Sequence, residues 1–113
     1  MRLRFYMIIS VVILFFSPSL FAANTLSEAE AKQLASQFYA TQGEWAGKFV
    51  ISRFMKTRFE TNQPDSAKVH FQYEWAFIKD KSHTGVDSRY FVYQHSGAGW
   101  HVTEMGQHMS GQL

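Results

Sequence analysis

Between Lys68 and Phe77 every second residue is large and apolar: Val69, Phe71, Tyr73, Trp75 and Phe77 alternate with Lys68, His70, Gln72, Glu74 and Ala76. Successive side chains of an extended chain point to opposite sides, so this period of two predicts a strand with one ring-bearing face. Such a row has to be covered. Each ring carries a large apolar surface, and a second layer must remove it from water.

The surrounding sequence supplies that layer and the rest of a sheet. Before the aromatic row, Phe49, Ile51, Met55 and Phe59 alternate with Val50, Ser52, Lys56 and Arg58, a noisier strand with Arg53 on its apolar side. Asn62-Gln63-Pro64-Asp65-Ser66 provides turn chemistry between the two. Pairing Phe59 with Val69 sets Met55 opposite Tyr73 and Ile51 opposite Phe77, whereas a one-residue slip sets Arg58 and Lys56 against the rings. The first register is expected. A polar loop from Lys79 to Ser88 precedes a third strand, Arg89 to His95, and Ser96-Gly97-Ala98-Gly99 turns into a fourth, Trp100 to Met105. Val92 faces either Val102 or Thr103. Residues from about 106 onward read as a frayed tail.

Upstream, Ser27 stands three residues before Glu30, which makes a capping box, and Glu28 adds negative charge to the helix start. Ala31, Leu34, Ala35 and Phe38 recur at helical spacing, with Trp45 as a further candidate, while Lys32, Gln33, Ser36 and Gln37 face away. Gly43 is a natural stop. The spacing predicts one amphipathic helix over about 28–42. The fold class expected is therefore α+β, an N-terminal helix packed on a four-stranded antiparallel meander.

The first 22 residues have a different character. Arg2 and Arg4 precede a run from Phe5 to Phe16 interrupted only by Tyr6 and Ser10, and Ser17-Pro18-Ser19 ends it before the length a membrane span needs. Leu20-Phe21-Ala22-Ala23 supplies small residues for a peptidase. We expect a signal peptide over 1–22 and a single periplasmic or secreted domain over 23–113. Losing Arg2 and Arg4 takes Lys plus Arg from 11 to 9, equal to the nine Asp plus Glu, so the exported part has no formal net charge. The pI of about 9.0 thus gives no support to nucleic-acid binding. With no cysteine, neither a lipid-modified N-terminus nor a disulfide framework is expected.

Helix, aromatic strands and the final hairpin Tyr93-Gln94-His95-Ser96-Gly97-Ala98-Gly99-Trp100-His101-Val102, with its glycine-tryptophan turn, resemble small exported bacterial proteins of the cystatin-like and nuclear-transport-factor-2-like superfamily. The likeness spans most of residues 27–105. It implies the helix-on-sheet fold and a range of roles: ligand pockets, isomerases, assembly domains and protease inhibitors. The inhibitory Gln-x-Val-x-Gly loop of cystatins is missing, since Gln94-His95-Ser96-Gly97-Ala98 lacks the valine and the final glycine.

No residue pattern specifies a reaction. There is no Ser-centred elbow, phosphate loop or cysteine nucleophile. His95 and His101 lie near each other across the last hairpin, with His83 and His108 elsewhere, but no carboxylate or thiol joins them at a ligand spacing, so no metal and no cofactor are expected. Among the acids, Glu104 is the one that a shift of register turns toward the core, the position an isomerase-like enzyme would use. The face of the sheet away from the helix is expected to carry Val50, Phe54, Lys56, Arg58, Lys68, His70, Gln72, Phe91 and Tyr93. Exposed rings beside cations favour a docked partner. The leading expectation is a non-enzymatic binding module whose candidate face comprises Phe54, Lys56, Arg58, Lys68, His70, Phe91 and Tyr93. The partner expected is another protein, as inhibitor, immunity or assembly factor, or a second copy of the chain. A carrier of a small apolar ligand between helix and sheet, and an isomerase-like enzyme, are the alternatives.

Overall fold

The computed structural model describes residues 25–107; the export segment expected at 1–22 and His108 lie outside them. One helix, α1 (Glu28–Thr41), is followed by four strands, β1 (Phe49–Asn62), β2 (Ser66–Phe77), β3 (Thr84–Ser96) and β4 (Gly99–Gln107), in one antiparallel sheet of order β1-β2-β3-β4. This is the α+β helix-on-meander expected. Among the described residues no helix is long and apolar enough to cross a membrane.

α1 begins where the capping box places it. The Ser27 hydroxyl accepts from the Glu30 amide at 3.1 Å, and the amides of Gln42 and Gly43 both return to the Phe38 carbonyl at the other end. Ahead of the helix, Asn62 at the end of β1 clamps Leu26, its side-chain oxygen accepting from the Leu26 amide and its side-chain nitrogen donating to the Leu26 carbonyl. The helix face in contact with the sheet is thin. Ala31 and Ala35 are fully buried beside Tyr39, so the helix backbone approaches the rings of β2 and β3 closely. The Tyr93 hydroxyl donates to the Ala31 carbonyl at 2.7 Å inside this interface, fixing the helix along the sheet.

Register explains which side chains are inside. Phe59 does pair with Val69, but β1 carries an extra residue at three places, between Ile51 and Arg53, Phe54 and Lys56, and Phe59 and Thr61. The strand therefore pairs Phe54 with Tyr73 and Ile51 with Trp75, where the regular register expected Met55 and Phe77 respectively. Each bulge flips the alternation, which is why β1 reads as noise against a strict period of two. Phe49, Ile51, Phe54 and Phe59 all end on the helix side, and Met55 is 41% exposed.

Two further differences concern β3 and β4. β3 starts at Thr84, within the stretch expected to be loop, because β2 pairs with it as far as Ala76; Gly85 opposite Trp75 leaves room for the indole, which a Cβ would overlap. β4 runs on through Gly106 and Gln107, paired with Tyr90 and Arg89. Val92 pairs with Glu104, and a register shift follows before Tyr93 pairs with Val102, so neither of the two expected partners of Val92 is the observed one.

Candidate functional site

Cross-strand partners in a sheet share a face. Phe91 pairs with Val69 and Tyr93 with Ala67, so both follow β2 to the helix side, where each is fully buried. Phe54 joins them through the bulge at Met55; its ring packs 4.9 Å from that of Phe71. Phe54, Phe91 and Tyr93 are therefore core residues, and the expectation that they line an open face is corrected. The reason is parity: Val92, between the two, pairs with Lys68 and points out.

Lys56, Arg58, Lys68 and His70 do share the face opposite α1. Arg58 pairs with His70 and Lys56 with Gln72, and Arg53, one bulge further along, pairs with Glu74 on the same side. The bulge that leaves Glu60 without a cross-strand partner turns its carboxylate over this face. It meets His70 Nε2 at 2.6 Å and Lys68 Nζ at 3.7 Å. The His70 bond is the main reason the Glu60 carboxyl sits below the usual carboxylate range, with Lys68 adding to it. Lys68 also lies over the Tyr90 ring, 4.4 Å from its centre. The Tyr90 hydroxyl in turn donates to Glu104 Oε2 at 2.8 Å, and Gly106 beneath the ring leaves room for it. Glu104 is thus an exposed open-face residue and does not point into the core.

The face carries Arg53, Lys56, Arg58 and Lys68 against Glu60, Glu74 and Glu104. Its three carboxylates are all engaged by the face's own donors: Glu60 by His70 and Lys68, Glu74 by the Ser52 hydroxyl at 2.7 Å and Arg53 at 3.6 Å, and Glu104 by Tyr90. Two of its cations keep spare donors. Arg53 is 62% exposed in its side chain, and Lys56 has no ion-pair partner among the described residues. Glu60, Tyr90 and Arg53 were missed in the sequence. Glu60 and Arg53 depend on bulges, and Tyr90 on the parity of β3.

Across the sheet, the centre of the helix interface is closed by Ala31, Ala35, Tyr39, Phe71, Phe91 and Tyr93. Burial raises the hydroxyl pKa of Tyr39, Tyr73 and Tyr93 above the ordinary tyrosine value. Arg89, on the same side, bridges Asp87 at 3.1 Å and Glu44 at 3.4 Å. Along β4 the interface opens into a groove of about 170 Å³ lined by Leu34, Phe38, Thr41, His101 and Val102. His95 stacks obliquely on Trp100, 5.1 Å between ring centres, and among the described residues no group of three His, Cys, Asp or Glu is placed to hold a metal ion. No protein family, curated protein or solved structure matches the chain.

Proposed function

We propose that this protein is a non-enzymatic binding module whose uncovered sheet face docks a protein partner through acidic side chains. The observation that carries the reading is that all three carboxylates of that face are bonded by its own donors, while Arg53 and Lys56 on its β1 flank keep donors to spare. A flank with donors in excess complements a partner with carboxylates in excess, and contacts of this kind set partner choice and association rate. With Phe54, Phe91 and Tyr93 inside, the docking surface is more polar than the sequence alone implied, so binding is salt-sensitive. The helix-on-meander architecture is compatible with the cystatin-like and nuclear-transport-factor-2-like resemblance, whose members include such modules. The ligand-carrier alternative is weaker, because the groove beside β4 falls below the roughly 300 Å³ at which small-molecule sites begin.

The test is an amide chemical-shift map of the protein titrated with a poly-glutamate peptide, repeated with Lys56→Glu plus Arg58→Glu. Shifts are expected along β1 and β2 near Lys56, Arg58 and Lys68, fading as salt rises and lost in the double variant. Binding that survives both charge reversals, or shifts confined to other surfaces, removes the reading.

A further inference from the structure

The end of the sheet near the α1–β1 connection is built differently from either face. The Ile78 amide donates to the Lys48 carbonyl at 2.9 Å, the continuation of the Phe49–Phe77 pair, and this brings the 42–48 and 78–83 connections side by side. Between them lies a cavity of about 410 Å³, lined among the described residues by Gly47, Lys48, Phe77 and Lys79, within the size range of small-molecule sites. Its ring is held from behind. Phe77 packs 4.7 Å from Phe49 and 4.5 Å from His83, and Phe49 stacks on Trp75 at 4.8 Å. Gly47 sits at φ +81°, where a side chain is disfavoured, so nothing but backbone covers that wall.

Two lysines, Lys48 and Lys79, line this apolar pocket, and among the described residues no carboxylate pairs with either. The acids nearest in sequence are committed elsewhere: Glu44 to Arg89, and Asp80 to the Ser82 hydroxyl at 2.6 Å and the Ser82 amide at 3.2 Å. Those Ser82 bonds hold the Asp80 carboxyl below its usual range, with His83 adding to the effect. Lysine stems bury along apolar surface while the heads stay available, so both walls and charges come from the same residues.

We propose that this pocket binds a small aromatic carboxylate, the planar body against Phe77 and the Gly47 backbone and the carboxylate between Lys48 and Lys79. The site is separate from the acidic-partner face. Lys48 precedes β1 and stands five positions before Arg53, the nearest cation of that face, roughly 16 Å in an extended strand.

The experiment titrates the intact domain with 2-naphthoate and with its uncharged analogue 2-naphthamide, following the amides of Gly47, Lys48, Ile78 and Lys79. Saturable shifts at these positions are expected for naphthoate, with naphthamide about tenfold weaker, and Lys48→Glu plus Lys79→Glu is expected to lower naphthoate affinity by about tenfold or more. Both lysines are exposed, so the double variant folds as the parent does. Equal affinity for the two probes overturns the carboxylate assignment. The absence of saturable shifts at these amides overturns the site. Lys56→Glu plus Arg58→Glu is expected to leave naphthoate binding unchanged, which separates this result from the fate of the open-face reading.

Discussion

The two faces of the sheet are made from neighbouring residues of the same strands, yet they obey different rules. On the covered face, Val69, Phe71, Tyr73, Phe91 and Tyr93 are wholly removed from water beneath a helix that contributes alanines and one tyrosine. On the open face, side chains one position away, Lys68, His70 and Tyr90, are held by hydrogen bonds, an ion pair and a cation-ring contact. Burial on the first face contributes in proportion to area, about 1.5–3 kcal/mol for each large side chain. Exposed pairs on the second contribute little each, so that face is free to be selected for recognition.

Phe91 and Val92 break this comparison most directly. Phe91→Ala is expected to cost about 3–5 kcal/mol, because its fully buried ring packs between Phe38 and Phe71, while Val92→Ala next to it costs less than about 1 kcal/mol. Urea unfolding of the two variants measures both; equal losses would mean that the parity of β3 is wrong. A smaller effect is expected at Tyr93→Phe. That change removes the bond to the Ala31 carbonyl and keeps the packing, for about 1 kcal/mol and an earlier loss of helix signal.

Proton linkage separates the faces as well. Tyr39, Tyr73 and Tyr93 have hydroxyls raised above the ordinary value of 10.0, so their contribution to stability is intact below that pH and falls as pH rises above it. Urea midpoints are expected to be level below pH 10 and to decline above it, less steeply in Tyr93→Phe. Glu60 works in the opposite sense: its carboxyl is lowered, so its contribution is present above the ordinary carboxylate pKa of 4.5 and is lost as pH falls below it. Glu60→Gln, the smallest effect of the series, is expected to narrow the gap between melting temperatures measured at neutral and at acid pH. An unchanged gap would show that the Glu60 bond to His70 does not couple to folding.

The regular parts of the molecule were legible because their periods are local. Ser27 and Glu30 announce the helix start, and the row from Val69 to Phe77 announces a strand whatever else surrounds it. β1 was legible only as a strand. Its three inserted residues leave no composition signal, because a bulge is decided by what the partner strand leaves opposite, and so Phe54 and Glu60 were unreadable in position and role. β3 failed for the same kind of reason. Gly85, Asp87 and Ser88 have turn chemistry, and only their pairing with Trp75, Tyr73 and Gln72 across the sheet makes that stretch a strand. The pocket at the sheet end had no signal either, since Lys48 and Lys79 are 31 positions apart and meet through a backbone bond between Lys48 and Ile78.

The sequence by itself determined the element types, their order and the aromatic half of the core, because helix caps and alternation act over a few residues. The tertiary structure alone decided which rings are buried and which charges share a surface. Those assignments depend on register, and in a strand a single extra residue exchanges inside for outside.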